Sequence, residues 1–308
     1  MQNLIAALAA QAFYVEGKTK QQIGDELGIS RFKVARILER AVEEGVVRFH
    51  VDIPPEIHPG LSRGLERRFG LRQAVVVTGV SGDDAATRRQ LGRVCAALLA
   101  ERLSADDVLG VSWGRTLHAL TDVVPQLPAA TVVQIVGSVP STDLNTNSLE
   151  LVRRLGERTR GRVHALHVPM VLDSAEVAAS LRASRYVAAT LATFSDLTCA
   201  LVGIGGWHPD GSSLRSALPA GVVRELDDAG AVSDVCSTVL DADGQVVSNE
   251  TVPSHCIAIT TDQLLRVPEV IALAGGEHKA AAIAAAVRAG LVHRLIVDAS
   301  AASALLDA

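Results

Sequence analysis

The strongest constraint in this 308-residue chain lies in residues 18–40, KTKQQIGDELGISRFKVARILER, where a four-residue turn separates two short helical patterns. Thr19 suits an N-cap, because its hydroxyl can accept from backbone N–H groups that the first turn of a helix leaves free. Ile23 and Leu27 then fall on one face. Gly28 stands where the first helix must stop, since a left-handed C-cap costs glycine no steric penalty. Ser30 caps the second helix. There Val34, Ile37, Leu38 and Ala41 form an apolar stripe, while Arg31, Lys33, Arg36 and Arg40 lie largely off it. An upstream helix over 3–15 is expected to complete the bundle through Leu4, Ile5, Leu8, Ala12 and Phe13. The pattern is that of a helix-turn-helix.

Charge supports a nucleic-acid footprint at this end. Residues 18–40 hold six Lys or Arg against three acids, a local net of +3 in a chain whose net is −5. A basic front on an acidic protein suits DNA. Thr19, Gln21, Ser30, Arg31, Phe32, Lys33 and Arg36 are the candidate contacts, with base edges met from the second helix and phosphates held by the caps and the helix N-terminus. The plainer alternative is a small helical bundle with a solvated basic face.

The rest of the chain reads as α/β. Its length allows two domains, and 48% apolar residues with only 3% aromatics suit layers packed from Val, Ala and Leu. No run of about 18 apolar residues and no secretory signal is present, so no membrane association and a cytoplasmic location are expected. Cys95, Cys199, Cys236 and Cys256 are widely spaced and expected to be buried and reduced. His164 and His167 fall in an apparent strand, where positions three apart face opposite ways. No metal site is expected there.

The stretch 46–53, VVRFHVDI, reads as a strand closing a helix-turn-helix domain over 1–53. PPEIHPG at 54–60 reads as a linker without regular structure. Residues 61–308 would form the second domain. A helix over 61–69 opens it. Strands are then expected at 74–78, 108–112, 131–136, 162–168, 199–204, 270–274 and 295–297, with helices at 84–103, 116–124, 148–158, 174–194 and 278–289. Val-rich runs alternating with helices predict a doubly wound, mostly parallel sheet covered on both faces. DADG at 241–244 predicts a turn between two extended segments.

Ligands collect at the carboxyl ends of such strands. In GVSWGRTL (110–117) a strand runs into a Gly-Ser-x-Gly turn and a helix, offering backbone N–H groups and the Ser112 and Thr116 hydroxyls to a phosphate or sugar. The same letters fit the G-x-S-x-G nucleophile elbow of serine hydrolases. Asp234 or Asp262, then His278 or His293, follow in triad order, although no HGGG-like oxyanion segment precedes Ser112. LVGIGG (201–206) suits close approach of backbone to a ligand, but WHPDGSS after it reads as loop, against a dinucleotide fold. Asp234 could accept from sugar hydroxyls, or merely serve a turn. AGGEHKAAAIAAAVRAG (274–290) sets Lys279 beside two glycines at a helix start, and Lys279 is the only lysine after Lys33, which points to anion binding.

Together these motifs resemble the SorC family of bacterial sugar-responsive transcriptional regulators, which is also compared with DeoR-type regulators. The resemblance covers essentially the whole chain and is carried by 14–38, VLGVSWGRTL (108–117), LVGIG (201–205) and 274–292. It implies a helix-turn-helix joined to an effector domain similar in fold to sugar-phosphate isomerases and CoA transferases. It also implies a phosphorylated sugar or polyol effector, assembly as a homodimer or homotetramer, binding to operator DNA, and no cofactor. Carried onto this chain, the effector pocket would comprise Gly110, Ser112, Gly114, Thr116, Gln134, Asn147, Gly203, Gly205, Asp234 and Lys279, with Arg215 as a second phosphate contact. Serine stands at 233, where glycine is frequent in the family. The competing class is an enzyme, either a sugar-phosphate isomerase or a serine hydrolase, with an appended helical domain.

Overall fold

The computed structural model describes residues 2–48, 56–139, 148–247 and 250–308. The chain divides into two compact units, Met1–Pro54 and Pro55–Ala308.

In the first unit, α1 (Gln2–Ala10) runs into a π-helical turn, Gln11–Val15, and is followed by α2 (Lys20–Leu27) and α3 (Arg31–Glu43). Thr19 caps α2 in a reciprocal box with Gln22, Gly28 ends it at φ 66°, and Ser30 accepts from the Lys33 N–H at the start of α3. A Cβ on Gly24 would lie 2.6 Å from the Ile29 carbonyl oxygen, so the turn needs glycine there. Ile23, Val34, Leu38 and Ala41 are buried as their spacing predicts. The first helix differs: Leu4, Ile5 and Leu8 are exposed, and the buried face is Ala6, Ala9, Ala10 and Ala12. Alanines let α1 lie close against α3, and that close approach decides the buried face over side-chain size. Residues 46–48 form turn and coil rather than strand, with Val47 packed on the bundle. Residues 49–53 lie outside the described residues.

The second unit is built on seven parallel strands in the order β1-β10-β9-β5-β2-β3-β4. These are β1 (Gln73–Val77), β2 (Val108–Val111), β3 (Thr131–Gln134), β4 (Val163–His164), β5 (Cys199–Gly203), β9 (Glu269–Leu273) and β10 (Arg294–Asp298). Burial alternates along them into two cores. Cys199, Leu201, Ile271, Leu273 and Ile296 face α5 (Asp84–Arg102), α6 (Arg115–Thr121) and α7 (Ser148–Thr159). Ala200, Val202, Val270, Ala272, Leu295 and Val297 join the other core with α4 (Pro59–Phe69), α14 (Ala280–Arg288) and α15 (Ala299–Asp307). Sheets covered on both faces need apolar residues at every position, which is why these strands read as unbroken runs. A small antiparallel sheet, β6 (Gly205–Gly206), β7 (Ser233–Val235) and β8 (Thr238–Leu240), stands beside the main one. The remaining helices are α8 (Ala175–Ala183), α9 (Arg185–Ala192), α10 (Ser213–Ala217), α11 (Ala220–Asp228), α12 (Thr251–His255) and α13 (Thr261–Arg266).

Several expectations shift. Residues 57–60 are docked, not free linker: Ile57 bridges Val77, the His58 ring accepts from the Leu61 N–H, and Pro59 opens α4, where no N–H donor is needed. Residues 54–55 lie outside the described residues. The strand expected at 162–168 shrinks to β4 at the sheet edge. The helix expected over 174–194 breaks at Ser184, whose extended backbone ends α8 and begins α9. The turn expected at Asp241–Gly244 is present and closes an antiparallel bridge between Leu240 and Val246, and a second, tighter hairpin turn falls at Cys236–Ser237, both at positive φ.

Candidate functional site

A cavity of about 270 Å³ opens at the carboxyl ends of β2, β5, β9 and β10. It lies where the winding reverses: from β2 the chain proceeds outward to β3 and β4, and from β5 it proceeds the other way to β9 and β10. Such a reversal leaves a crevice between diverging loops.

Three of the four strand ends, those of β2, β5 and β9, contribute backbone that only glycine tolerates, or nearly so. Gly114 (φ 147°, ψ 149°) lets the chain turn from β2 into α6, and Gly276 (φ 96°) does so after β9. After β5, a Cβ on Gly205 would lie 2.1 Å from the Asp234 carboxylate. β7 therefore presses its aspartate against β6, and both line the cavity.

Asp234 is the most unusual group in it. It is buried, and its Oδ1 has no hydrogen-bond partner. Burial pushes its carboxyl up to about 6, against the opposing pull of Ser212 and Lys279. Its neighbour Ser233 is also buried with an unpartnered hydroxyl. Lys279 donates from Nζ to the Ile204 carbonyl oxygen at 2.8 Å. Burial lowers the pKa of Lys279, Asp234 raises it, and the charges of Arg115 and Arg88 lower it further. An orphaned acceptor beside a half-satisfied ammonium is the arrangement that a hydroxylated anion would complete.

Of the candidate pocket residues, Ser112, Gly114, Thr116, Gly203, Gly205, Asp234 and Lys279 line this cavity. Gly110, Gln134 and Arg215 do not. Gly110 is buried in β2, where a Cβ would meet Ile135 and Leu197. Gln134 is a structural cross-link: its amide donates to the Val136 carbonyl and the Ser148 hydroxyl, and its oxygen accepts from Leu166. Arg215 is tied to Asp227 at 2.9 Å. Asn147 lies outside the described residues. Sequence reading missed Arg88, Arg115 and Asp210, and it gave His278 only as a triad candidate and Cys236 only as a buried thiol; all five line the cavity. One signal was available. Asp84, Thr87, Arg88 and Leu91 follow at helical spacing along one face of α5, and all four reach the cavity.

The hydrolase reading finds no support in the geometry. Ser112 Oγ accepts from the Gly203 N–H at 3.2 Å, joining the ends of β2 and β5. Among the described residues no histidine hydrogen-bonds it. Nor do three His, Cys, Asp or Glu side chains gather as metal ligands among the described residues. All four cysteines are buried and free, and burial pushes Cys236 and Cys256 up to about 12. No helix among the described residues is long and apolar enough to cross a membrane.

In the first unit, Thr19, Gln21, Ser30, Arg31, Phe32, Lys33 and Arg36 are all exposed. Phe32 is 69% exposed beneath the Arg31 guanidinium, 4.9 Å from its ring centre. Lys33 and Arg36 have no ion-pair partner among the described residues, whereas Lys18 is held by Glu16 and Glu26. The basic charge available to a partner is therefore concentrated on α3.

Residues 58–307 match the family described as "Putative sugar-binding domain". The chain is 29% identical to the deoxyribonucleoside regulator of Bacillus subtilis, over 97% of this chain and 96% of the relative. It is 30% identical to the uncharacterized transcriptional regulator YjhU of Escherichia coli K12, covering 97% and 93%. The crystal structure of the full-length sorbitol operon regulator SorC from Klebsiella pneumoniae superposes with a TM-score of 0.74 at 26% identity over 99% of both chains. All three are named as regulators, and each comparison covers 97% or more of this chain. The chain belongs to the SorC family of sugar-binding transcriptional regulators.

Proposed function

We propose that the cavity takes a phosphorylated sugar or polyol and that its occupation sets the affinity of α3 for operator DNA. The buried Asp234 carboxylate, whose Oδ1 has no hydrogen-bond partner, beside Lys279 carries this reading. A sugar supplies vicinal hydroxyls that donate to Asp234, and a phosphate supplies the acceptor that Lys279 lacks. Ser112 and Thr116 stand ready as further hydroxyl partners.

Residues 1–53 then act as the DNA-binding domain and 61–308 as the effector and oligomerisation domain of a homodimer or homotetramer. Arg31, Lys33 and Arg36 enter the major groove, where Phe32 meets a thymine methyl, while the Thr19 and Ser30 caps and the adjoining helix N-termini hold phosphates. Two such units would grip half-sites about one helical turn, or a multiple, apart. Coupling between the sites is expected at ~1–3 kcal/mol, a five- to hundredfold change in operator affinity.

A thermal-shift screen of sugars, polyols and their phosphates on wild type and Lys279→Ala tests this, because a ligand of the folded state raises the melting temperature by mass action. A shift for one phosphorylated compound, lost in the variant, is the expected result. Stabilisation by unphosphorylated polyols that survives Lys279→Ala would remove the phosphate from the reading. No stabilisation by any compound would remove the effector.

A further inference from the structure

Lys279 shares its cavity with two other cations. Arg88 lies in the second turn of α5, Arg115 is the first residue of α6, and both line the same space. They are held differently. Lys279 is anchored inward, on the Ile204 carbonyl and beside buried Asp234, whereas Arg115 is exposed and the Arg88 side chain is 30% exposed.

The carboxylates around the cavity do not account for the arginines. Asp298 is spent on the backbone: one oxygen accepts from Ala301 and Ser300, the other from the Gly276 N–H. Asp234 belongs with Lys279. Asp84 is 91% exposed and only 4.0 Å from Arg88, a weak surface pair. Asp210 is exposed, and Arg115 has no hydrogen bond or ion pair among the described residues. Both guanidinium charges nevertheless act on Lys279 across the cavity. Three like charges around one space repel, and an anion reaching both Lys279 and the arginines relieves that repulsion twice.

We infer that Arg88 and Arg115 form a second anion-recognition station at the rim, so that the effector is negatively charged at both ends: a phosphate at Lys279 and a second phosphate or a carboxylate at the arginines. This rests on the effector reading above and narrows it to a class. Guanidinium forks bind either group with paired N–H donors. The station discriminates by charge at the far end of the ligand, while Asp234 reads the hydroxyls between.

Isothermal titration of the full-length protein with a hexose monophosphate, the corresponding bisphosphate and a phosphorylated aldonic acid tests it, on wild type, Arg115→Gln, Arg88→Gln and the double variant. At least one doubly anionic probe should bind wild type about tenfold or more tighter than the monophosphate. The double variant should erase that preference while monophosphate affinity stays within about twofold. Whether the bisphosphate or the phosphorylated acid shows the gain identifies the rim group. Equal binding of singly and doubly charged probes to wild type, or loss of both together in the arginine variants at unchanged ligand-free melting temperature, would overturn the station and leave the effector reading standing. Failure of every anionic sugar to bind wild type would overturn both. Arg115→Lys, which keeps charge without the fork, guards against a folding defect and should retain part of the preference.

Discussion

The helix-turn-helix and the cavity hold their functional residues in opposite ways. Every candidate DNA contact from Thr19 to Arg36 lies on two consecutive helices and their N-caps. The cavity instead gathers residues from Asp84 to Asp298, delivered by the ends of four strands, the small antiparallel sheet, the loops beside them and one face of α5. A surface made by adjacent residues is written in local spacing. A pocket made by strand order is written in topology, because β10 pairs with β1 and β5 stands between β9 and β2 only after the sheet has formed.

If the two regions are separable, one glycine in each should break one function and spare the other. In Gly24→Ala the new Cβ falls 2.6 Å from the Ile29 carbonyl oxygen, and in Gly205→Ala it falls 2.1 Å from Asp234 Oδ1. Overpacking of this kind costs roughly 1–3 kcal/mol or more. Gly24→Ala should lose operator binding in fluorescence anisotropy while keeping the effector-induced thermal shift. Gly205→Ala should lose the thermal shift and keep effector-free DNA binding. Loss of both functions in either variant would show that the division is not functional.

Arg36→Ala sharpens the DNA side. It should weaken operator binding by roughly 1–3 kcal/mol and relax preference at one base pair if the side chain pairs with a guanine. A uniform loss across sequences, with a salt slope shallower by about one, would make it a phosphate contact instead. Unchanged affinity and preference would take it out of the interface.

On the pocket side, the buried carboxylate predicts a pH dependence. Asp234 is pushed up to about 6 from 3.8 by burial. Between these values the folded protein holds a proton that the unfolded chain has released, so Asp234 makes effector-free stability fall as pH rises from about 4 to about 6, and then level off. Sugar hydroxyls donate to the ionised form, so effector affinity should run the other way. It should rise by up to about tenfold per pH unit toward 6 and flatten above it. Because a sugar phosphate also titrates near ~6, Asp234→Asn is the control. A profile as steep in the variant as in wild type would assign the titration to the ligand.

What the sequence disclosed follows the same division. Caps, turn and stripe of the helix-turn-helix were legible because each depends on residues within four positions of one another. The upstream helix was legible only at its end, where Ala12 is buried and Phe13 packs on the bundle, since exposed Leu4 and Leu8 and buried Ala6 and Ala9 do not differ in helical period. In the second unit the strands were legible as apolar runs between helices. The edge strand β4 was overcalled, because alternation in RVHALHV persists where pairing stops after two residues. At the cavity, motif glycines and Lys279 stood out, but Arg88 and Arg115 sat unremarked among many arginines. Gln134 shows the converse: a polar residue at a strand end resembles a ligand contact until the Val136, Ser148 and Leu166 partners that consume it are known.

Arg215 makes that distinction testable at small amplitude. Resemblance assigns it a second phosphate, yet one guanidinium nitrogen is held by Asp227 at 2.9 Å, and the same carboxylate accepts from the Trp207 indole at 2.8 Å. Its Nε is buried without a partner, a cost that truncation would remove. Arg215→Ala should therefore change stability by only about 0–1 kcal/mol, as partly exposed ion pairs do, and leave effector affinity unmoved, in contrast to Arg115→Gln. A loss of effector affinity without a fall in melting temperature would return Arg215 to the pocket. It would mean that the Asp227 pair opens when ligand arrives, and that the cation reading the far end of the effector is lent by the α10–α11 corner rather than by α5 and α6.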